Sequence, residues 1–327
     1  MVSSKDVAKL AGVSVSTVSR VFSNTELVNE TTAKRVMDAA KKLNYVPNIS
    51  ARNLKLQKSN LLGVALSDIS NSFYLEVLKD VFSLSESKYR FVVVFSSEDK
   101  AHEIESVETL IASNTACVLF TPVAEGSARV EAALKGNHIP ALQLYRRSYE
   151  EFDSLTIDDA YGAYLATREL LNAGHRDILF LDYNVEIPTG RYEGYLRAYS
   201  EAGLTSNDEN FVRIDIKGDV NKLVAQVMRE KSYTAVVPVS SLLAHAAIGL
   251  LHSWGKKIGQ DVSVIIYDDM PLARFSDISV ISHPFGEISA TIVQMIQDRL
   301  THPDSPARHE VISPFLIERS SIKQINS

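Results

Sequence analysis

Residues 4–22 read SKDVAKLAGVSVSTVSRVF, and this stretch decides the fold of the N-terminal part. Val7, Leu10 and Ala11 recur at the spacing of one face of a short amphipathic helix. Gly12 then supplies the backbone freedom a tight turn needs. Ser14 is a natural N-cap for a second helix from Val15 to Phe22, with Val18 and Val21 or Phe22 turned inward. Helix, glycine turn and helix make a helix-turn-helix unit. After a polar loop, Thr31 to Leu43 predicts a third helix, whose Ala33, Val36, Met37 and Ala40 close a three-helix core.

The outward face of the second helix offers Val15, Ser16, Thr17, Ser19 and Arg20. Short polar side chains keep that helix slim enough for a DNA major groove. Arg20 suits a bidentate pair with guanine O6 and N7, worth about 1–3 kcal/mol of discrimination. Ser14, Thr17, Ser19 and the helix N-terminus suit phosphate oxygens, which fix register rather than sequence. Asn29, in the loop before the third helix, joins them as a DNA-facing candidate. A solvated bundle without a DNA role is the competing reading of these residues alone.

Charge patterning agrees with a DNA-facing head. The 327-residue chain carries a net charge of −6, yet residues 1–58 hold ten Lys/Arg against four acids. A compact basic module on an acidic body suggests that only the module meets a polyanion. Hydrophobic residues at 45% and charged residues at 23% are ordinary for a globular protein of two or three lobes. No run of ~18 apolar residues suggests a membrane span, and the N-terminus reads as a folded helix rather than a secretory signal. Cys117, the single cysteine, lies in an apolar stretch and reads as a buried core thiol. A reducing cytoplasm is the expected location. No cofactor, metal or catalytic site is implied.

Pro47 ends the preceding helix, and residues 50–55 favour helix but are too few to be stable alone. From residue 60 onward, apolar strands alternate with amphipathic helices. Strands are expected at Leu61–Ser67, Phe91–Phe95, Cys117–Thr121, Ala141–Tyr145, Ser154–Ile157, Ile178–Asp182, Ala235–Pro238 and Val262–Tyr267. Helices are expected near 72–88, 100–113, 126–136, 160–173, 190–203, 219–230, 241–254 and 286–300. Short continuous strands between helices indicate parallel sheets covered on both faces. Two α/β lobes of about 120 residues fit the length.

Four spaced motifs then carry a resemblance: D-V-A-x-x-A-G-V-S-x-x-T-V-S-R, T-x-x-R-V, L-x-Y-x-P-N and A-R-x-L, in order over the first ~60 residues. The sequence resembles the LacI/GalR family, the lactose and galactose repressors. Later patches extend the likeness, among them LLGVALSDISNSFY, RYEGYLRAYSEAGL and DVSVIIYDDMPLAR. The implied fold is an N-terminal all-α helix-turn-helix head with a hinge helix, then an α/β core of two parallel-sheet lobes resembling periplasmic sugar-binding proteins. Expected boundaries are 1–46 for the head, 47–59 for the hinge and 60–327 for the core. By analogy lobe one takes about 60–157 and 285–312; lobe two takes about 158–284 and 313–327.

The resemblance also assigns roles. Val15, Ser16 and Arg20 fall on base-reading positions. Ser50, Arg52 and Leu54 belong to a hinge that orders on DNA, where Leu54 wedges into the minor groove and kinks the duplex. Arg191 matches a donor to ligand oxygens and Asp268 an acceptor of hydroxyl hydrogen bonds, in a cleft between the lobes. Phe73, Tyr74 and Phe285 offer flat apolar surface for a ring. The implied function is a sequence-specific repressor that binds double-stranded operator DNA as a homodimer, modulated by a small-molecule effector. The chain ends without added heptads, so a dimer is expected rather than a tetramer.

Departures from the family pattern bear on the effector. Ser240-Ser241 stand where many members carry Asn-Asp, and Leu144-Tyr145-Arg146 where many carry Val-Asp-Arg. Tyr145 and Ser240 are therefore the altered cleft candidates. Two polar anchors for a neutral sugar are lost while Arg146 and Arg147 follow the strand. This points away from a plain neutral monosaccharide, toward an anionic sugar derivative, a larger glycoside or no effector. A periplasmic-type solute binder is the competing class. An enzyme is not expected, because no nucleophile elbow, metal-spaced His pair or glycine-rich phosphate loop occurs. His175 reads as a structural turn residue, and His138 and His283 as loop residues.

Overall fold

The structure is a computed structural model that describes residues 2–23, 28–45, 59–69, 71–85, 88–123 and 125–325. Chain contacts divide it into two units, residues 1–59 and 60–327. The hinge candidates Ser50, Arg52 and Leu54 lie outside the described residues.

The first unit holds helices α1 (Ser4–Ala11), α2 (Val15–Ser23) and α3 (Glu30–Lys42). Gly12 ends α1 at φ +63°, the left-handed region where only glycine is at ease. Val7, Ala8, Val18, Val21 and Val36 form much of the core. Leu10 and Met37, expected in that core, are instead 52% exposed each. At about 100° per residue, each falls just beyond the arc that faces the small core, and alanines close it instead.

In the second unit the expected alternation is present, with four short strands that the sequence reading did not anticipate. One sheet runs β11 (His309–Ile312), β5 (Asp153–Ile157), β4 (Ala141–Tyr145), β3 (Cys117–Phe120), β1 (Leu61–Leu66), β2 (Arg90–Phe95), with every pairing parallel. The other runs β12 (Phe315–Ile317), β10 (Ser279–Ser282), β9 (Ser263–Tyr267), β8 (Ala235–Pro238), β6 (Ile178–Tyr183), β7 (Phe211–Ile214). There only β12 is antiparallel to its neighbour. Central strands are buried along their whole length, the parallel-sheet signature of two covered faces.

Helices α4 (Ser72–Leu84), α5 (Lys100–Ala112), α6 (Ala128–Gly136) and α12 (Phe285–Thr301) cover the first sheet. Helices α7 (Asp159–Asn172), α8 (Arg191–Glu201), α9 (Val220–Glu230), α10 (Ser241–Ser253) and α11 (Pro271–Phe275) accompany the second. The chain passes between the sheets near residues 158, 284 and 313. In both sheets the strand order reverses beside the first strand, and doubly wound sheets bind ligands at the carboxyl strand ends next to such a reversal. Cys117 is buried and its thiol is pushed up to about 12, first by burial and then by Asp153. Among the described residues no helix is long and apolar enough to cross a membrane.

Candidate functional site

Two surfaces carry the chemistry, one in each unit. On α2, Val15, Ser16 and Arg20 are exposed and Thr17 and Ser19 half-exposed. Ser14 Oγ accepts from the Thr17 amide at 3.1 Å, capping the helix, and lies 2.7 Å from Ser16 Oγ and 2.8 Å from Thr17 Oγ1. The three hydroxyls are thus mutually oriented at the helix N-terminus, where backbone N–H groups also await acceptors. Asn29 caps α3, its Oδ1 accepting from the Thr31 amide at 2.9 Å. Arg35 escaped the sequence reading. From α3 it donates through Nε at 3.2 Å and Nη2 at 2.5 Å to the Ala11 carbonyl, clamping the turn that aims α2. The T-x-x-R-V motif singles out Arg35, but its hold on the turn becomes legible only once the turn is placed.

In the second unit, a cavity of about 60 Å³ lies where the carboxyl ends of the strands converge. Phe73, Tyr74, Arg191 and Asp268 line it together with Tyr145, the residue that departs from the family pattern. Phe285 stands behind Phe73, ring centroids 5.4 Å apart. Ser240 does not line the cavity although its neighbour Val239 does; its Oγ is spent capping α10, accepting from the Leu243 amide at 3.3 Å. The space holds a few waters, well short of the ~300 Å³ where small-molecule pockets begin.

Aromatic rings fill the rest. Tyr145 stacks on Tyr74 with centroids 4.9 Å apart and meets the edge of Phe73 at 5.1 Å. Burial, then Tyr74, then Asp268 push the Tyr145 phenol well above its ordinary pKa. Tyr145 and Asp268 both have left-handed backbone, φ +68° and +69°. For non-glycine residues such strain costs on the order of 1–3 kcal/mol and gathers at ligand clamps.

Arg191 is held from two sides: Nη2 donates to Asp159 Oδ1 at 2.9 Å and Nη1 to Asp182 Oδ1 at 3.0 Å. Burial opposes its charge, but Asp159 and Asp182 more than offset it and raise the guanidinium pKa. Arg146 grips Glu98 through both terminal nitrogens, at 2.7 and 2.8 Å. Arg147 pairs with Glu150 at the surface. The arginines that suggested an anionic ligand are therefore already engaged by carboxylates, and that expectation loses its basis.

His283 lies in the loop between β10 and α12, as expected, and is also buried in the cavity wall with Nδ1 2.8 Å from Asp268 Oδ1. Asp159, Asp182, Tyr183 and Tyr267 were also missed as site residues. Their usable signal was position, since Asp182, Tyr183 and Tyr267 end parallel strands. The hydroxyls of Tyr183 and Tyr267 are buried without a hydrogen-bond partner, as is Arg191 Nε. Ser240 lies near enough to Tyr183 to influence its phenol without reaching bonding geometry. His175 is fully buried; its Nδ1 lies 2.9 Å from Thr234 Oγ1 and its Nε2 2.8 Å from Ser263 Oγ.

Comparison with known proteins bears on both surfaces. Residues 4–48 match the profile of bacterial regulatory proteins of the lacI family, and residues 167–322 match a periplasmic binding protein-like domain. The transcriptional regulator RegA of Clostridium saccharobutylicum is 31% identical over 97% of this chain and 98% of its own. The repressor PurR of Pectobacterium carotovorum is 31% identical over 98% and 97%. Among solved structures, a lac repressor dimer bound to operator and the anti-inducer ONPF superposes with a TM-score of 0.75 at 22% identity, covering 98% of this chain and 99% of that one.

Proposed function

Since this chain belongs to the lacI family of bacterial regulatory proteins, we propose that it represses transcription by binding a near-palindromic operator as a homodimer. Helix α2 enters the major groove. Arg20 and Ser16 read base edges, Val15 contacts a thymine methyl, and Ser14, Thr17, Ser19 and Asn29 hold phosphates. The hinge of residues 47–59 pairs with its twin on the operator, and Leu54 opens the central base step. The single observation that carries the reading is the slim polar face of α2, with its Ser14 hydroxyl network and the Arg35 clamp beneath.

The head takes residues 1–46 and the core 60–327, with lobes that follow the two sheets. A small molecule bound between the lobes, touching Arg191, Asp268, Tyr145, Tyr74 and Phe73, shifts the balance between operator-competent and incompetent states by its differential affinity for them. The protein works in the cytoplasm, where the DNA is, and catalyses no reaction. The relatives it matches are regulators by name.

Selection of bound sequences from a random DNA pool tests this directly. Enrichment of a two-fold symmetric site, with affinity falling steeply as salt rises, is expected. Enrichment of no sequence, or retention of unrelated duplexes with equal strength, refutes it.

A further inference from the structure

The charges around the cavity do not balance. Arg146 and Arg191 bring two positive charges, while Glu98, Asp159, Asp182 and Asp268 bring four negative ones. His283 leaves an excess of two negative charges when neutral and one when protonated. The terminal nitrogens of both guanidiniums are already bonded to buried carboxylates, which leaves a ligand anion only the buried Arg191 Nε. One guanidinium serves both Asp159 and Asp182. Burial accordingly keeps the Asp159 pKa raised in spite of Arg191.

The same cavity presents oxygen acceptors and ring faces. Tyr183 and Tyr267 line it, and their hydroxyls are buried without a hydrogen-bond partner, that of Tyr267 on the side of Gly162. Each phenol can accept from an N–H donor. Aromatic faces carry negative electrostatic potential, which attracts cations within about 6 Å. A volume of about 60 Å³ suits an ammonium group with a water or two, so a whole ring enters only when the lobes part.

We infer that the cleft selects a small polar ring bearing a protonated amine, of the hexosamine class, over the neutral and anionic forms of the same ring. This rests on reading the cleft as the effector site. The ammonium sits against Asp159 and Tyr183, with Asp182 behind Arg191 adding to the negative field, and the ring takes the space that opens beside Tyr145. An anion there meets uncompensated carboxylates and must pull an arginine from its partners. A neutral ring leaves the excess charge unanswered.

The test is binding and thermal unfolding of the full chain with matched sets at neutral pH: glucosamine, galactosamine and mannosamine, their neutral parent sugars, and the corresponding uronates. At least one hexosamine should stabilise saturably and bind roughly tenfold more tightly than its parent, with no shift from the uronate. That preference should shrink between about 0.05 and 0.5 M salt and should largely vanish in Asp182→Asn. Where that variant fails to fold, the salt series on the unaltered chain decides. Equal or tighter binding of a neutral sugar or a uronate overturns the amine preference while sparing the effector cleft. No binding by any compound of any charge overturns both.

Discussion

Helices α7 and α8 touch through Gly194, and adding one methyl group there should be felt both in stability and at the cleft. A Cβ at Gly194 would stand 2.8 Å from the Ala160 carbonyl carbon and 3.0 Å from the Tyr164 amide nitrogen, with the Ala160 carbonyl oxygen closer still. Ordinary contacts are about 3.2–3.5 Å and the carbonyl oxygen sets the limit, so α8 must retreat by roughly 1.3–1.6 Å. Arg191 and Asp159 sit on these same helices, bonded at 2.9 Å. That retreat carries them toward ~4.2–4.5 Å, beyond hydrogen bonding.

Two effects oppose one another in Gly194→Ala. Alanine gains about 1 kcal/mol over glycine in a helix. Overpacking costs about 1–3 kcal/mol, and weakening a buried ion pair adds some part of the ~3–5 kcal/mol lost when one partner is removed. The expected net is a loss of about 2–4 kcal/mol. Gly249, inside α10, is the control: nothing lies within 4 Å of its Cβ position, so Gly249→Ala should gain about 0.5–1 kcal/mol. Urea unfolding of both variants reads the answer. Stability of Gly194→Ala equal to or above that of the unaltered chain refutes the close-approach argument.

Burial lowers the His175 pKa from 6.5 to about 4. The unfolded chain therefore takes up this proton at a higher pH than the folded one. The site's contribution is complete above pH 6.5 and is lost as pH falls toward 4, by about 3 kcal/mol; His175→Gln should flatten the dependence of the urea midpoint over that range, and an unchanged slope counts against it. Arg299 binds Asp153 at 2.8 and 2.6 Å and also donates to the carbonyls of Pro303, Ser305 and Pro306. Arg299→Ala should cost about 3–5 kcal/mol in urea unfolding, and Arg299→Lys should rescue little of it, because lysine lacks the planar fork. Leu54→Ala should weaken binding to the selected operator much more than binding to unrelated duplex; equal losses in filter binding would remove the wedge.

The strands that could be read from sequence were those whose physics is local. Cys117–Phe120 and Ala235–Pro238 are unbroken apolar runs because both sheet faces are covered. Ser279–Ser282 and His309–Ile312 are harder to read because they are short and partly polar, and what makes them strands is pairing with neighbours, for His309–Ile312 with β5 about 155 residues earlier. In the head the same limit appears at Leu10 and Met37, where helical spacing alone does not fix where a narrow core stops. At the cleft, the residues that project from strand ends were accessible, but their electrostatic state was not. Arg191 looked like a free donor because nothing in the sequence ties it to Asp159, 32 residues away, or to Asp182. Only the fold turns two arginines into the neutralised part of an acidic site.

The placement of those pairs also bears on how the cleft would speak to DNA. Of the three places where the chain passes between sheets, one is flanked by Asp159 and another by His283. Asp159 holds Arg191 across to α8, and His283 holds Asp268 at the end of β9. A ligand that engages Arg191 or Asp268 would therefore pull on groups bonded directly to segments that join the two sheets. A rearrangement of a few tenths of an ångström at either bond bears on a crossing, not on an interior helix that packing would hold still. The same reasoning gives Tyr145 a different part. Its side chain is held by ring contacts with Phe73 and Tyr74 rather than by an ion pair to a crossing segment, so changing it should alter which ring fits more than how binding is transmitted. Comparing Tyr145→Phe with Asp159→Asn would separate the two: the first should change ligand affinity with the operator response at saturation intact, the second should reduce that response.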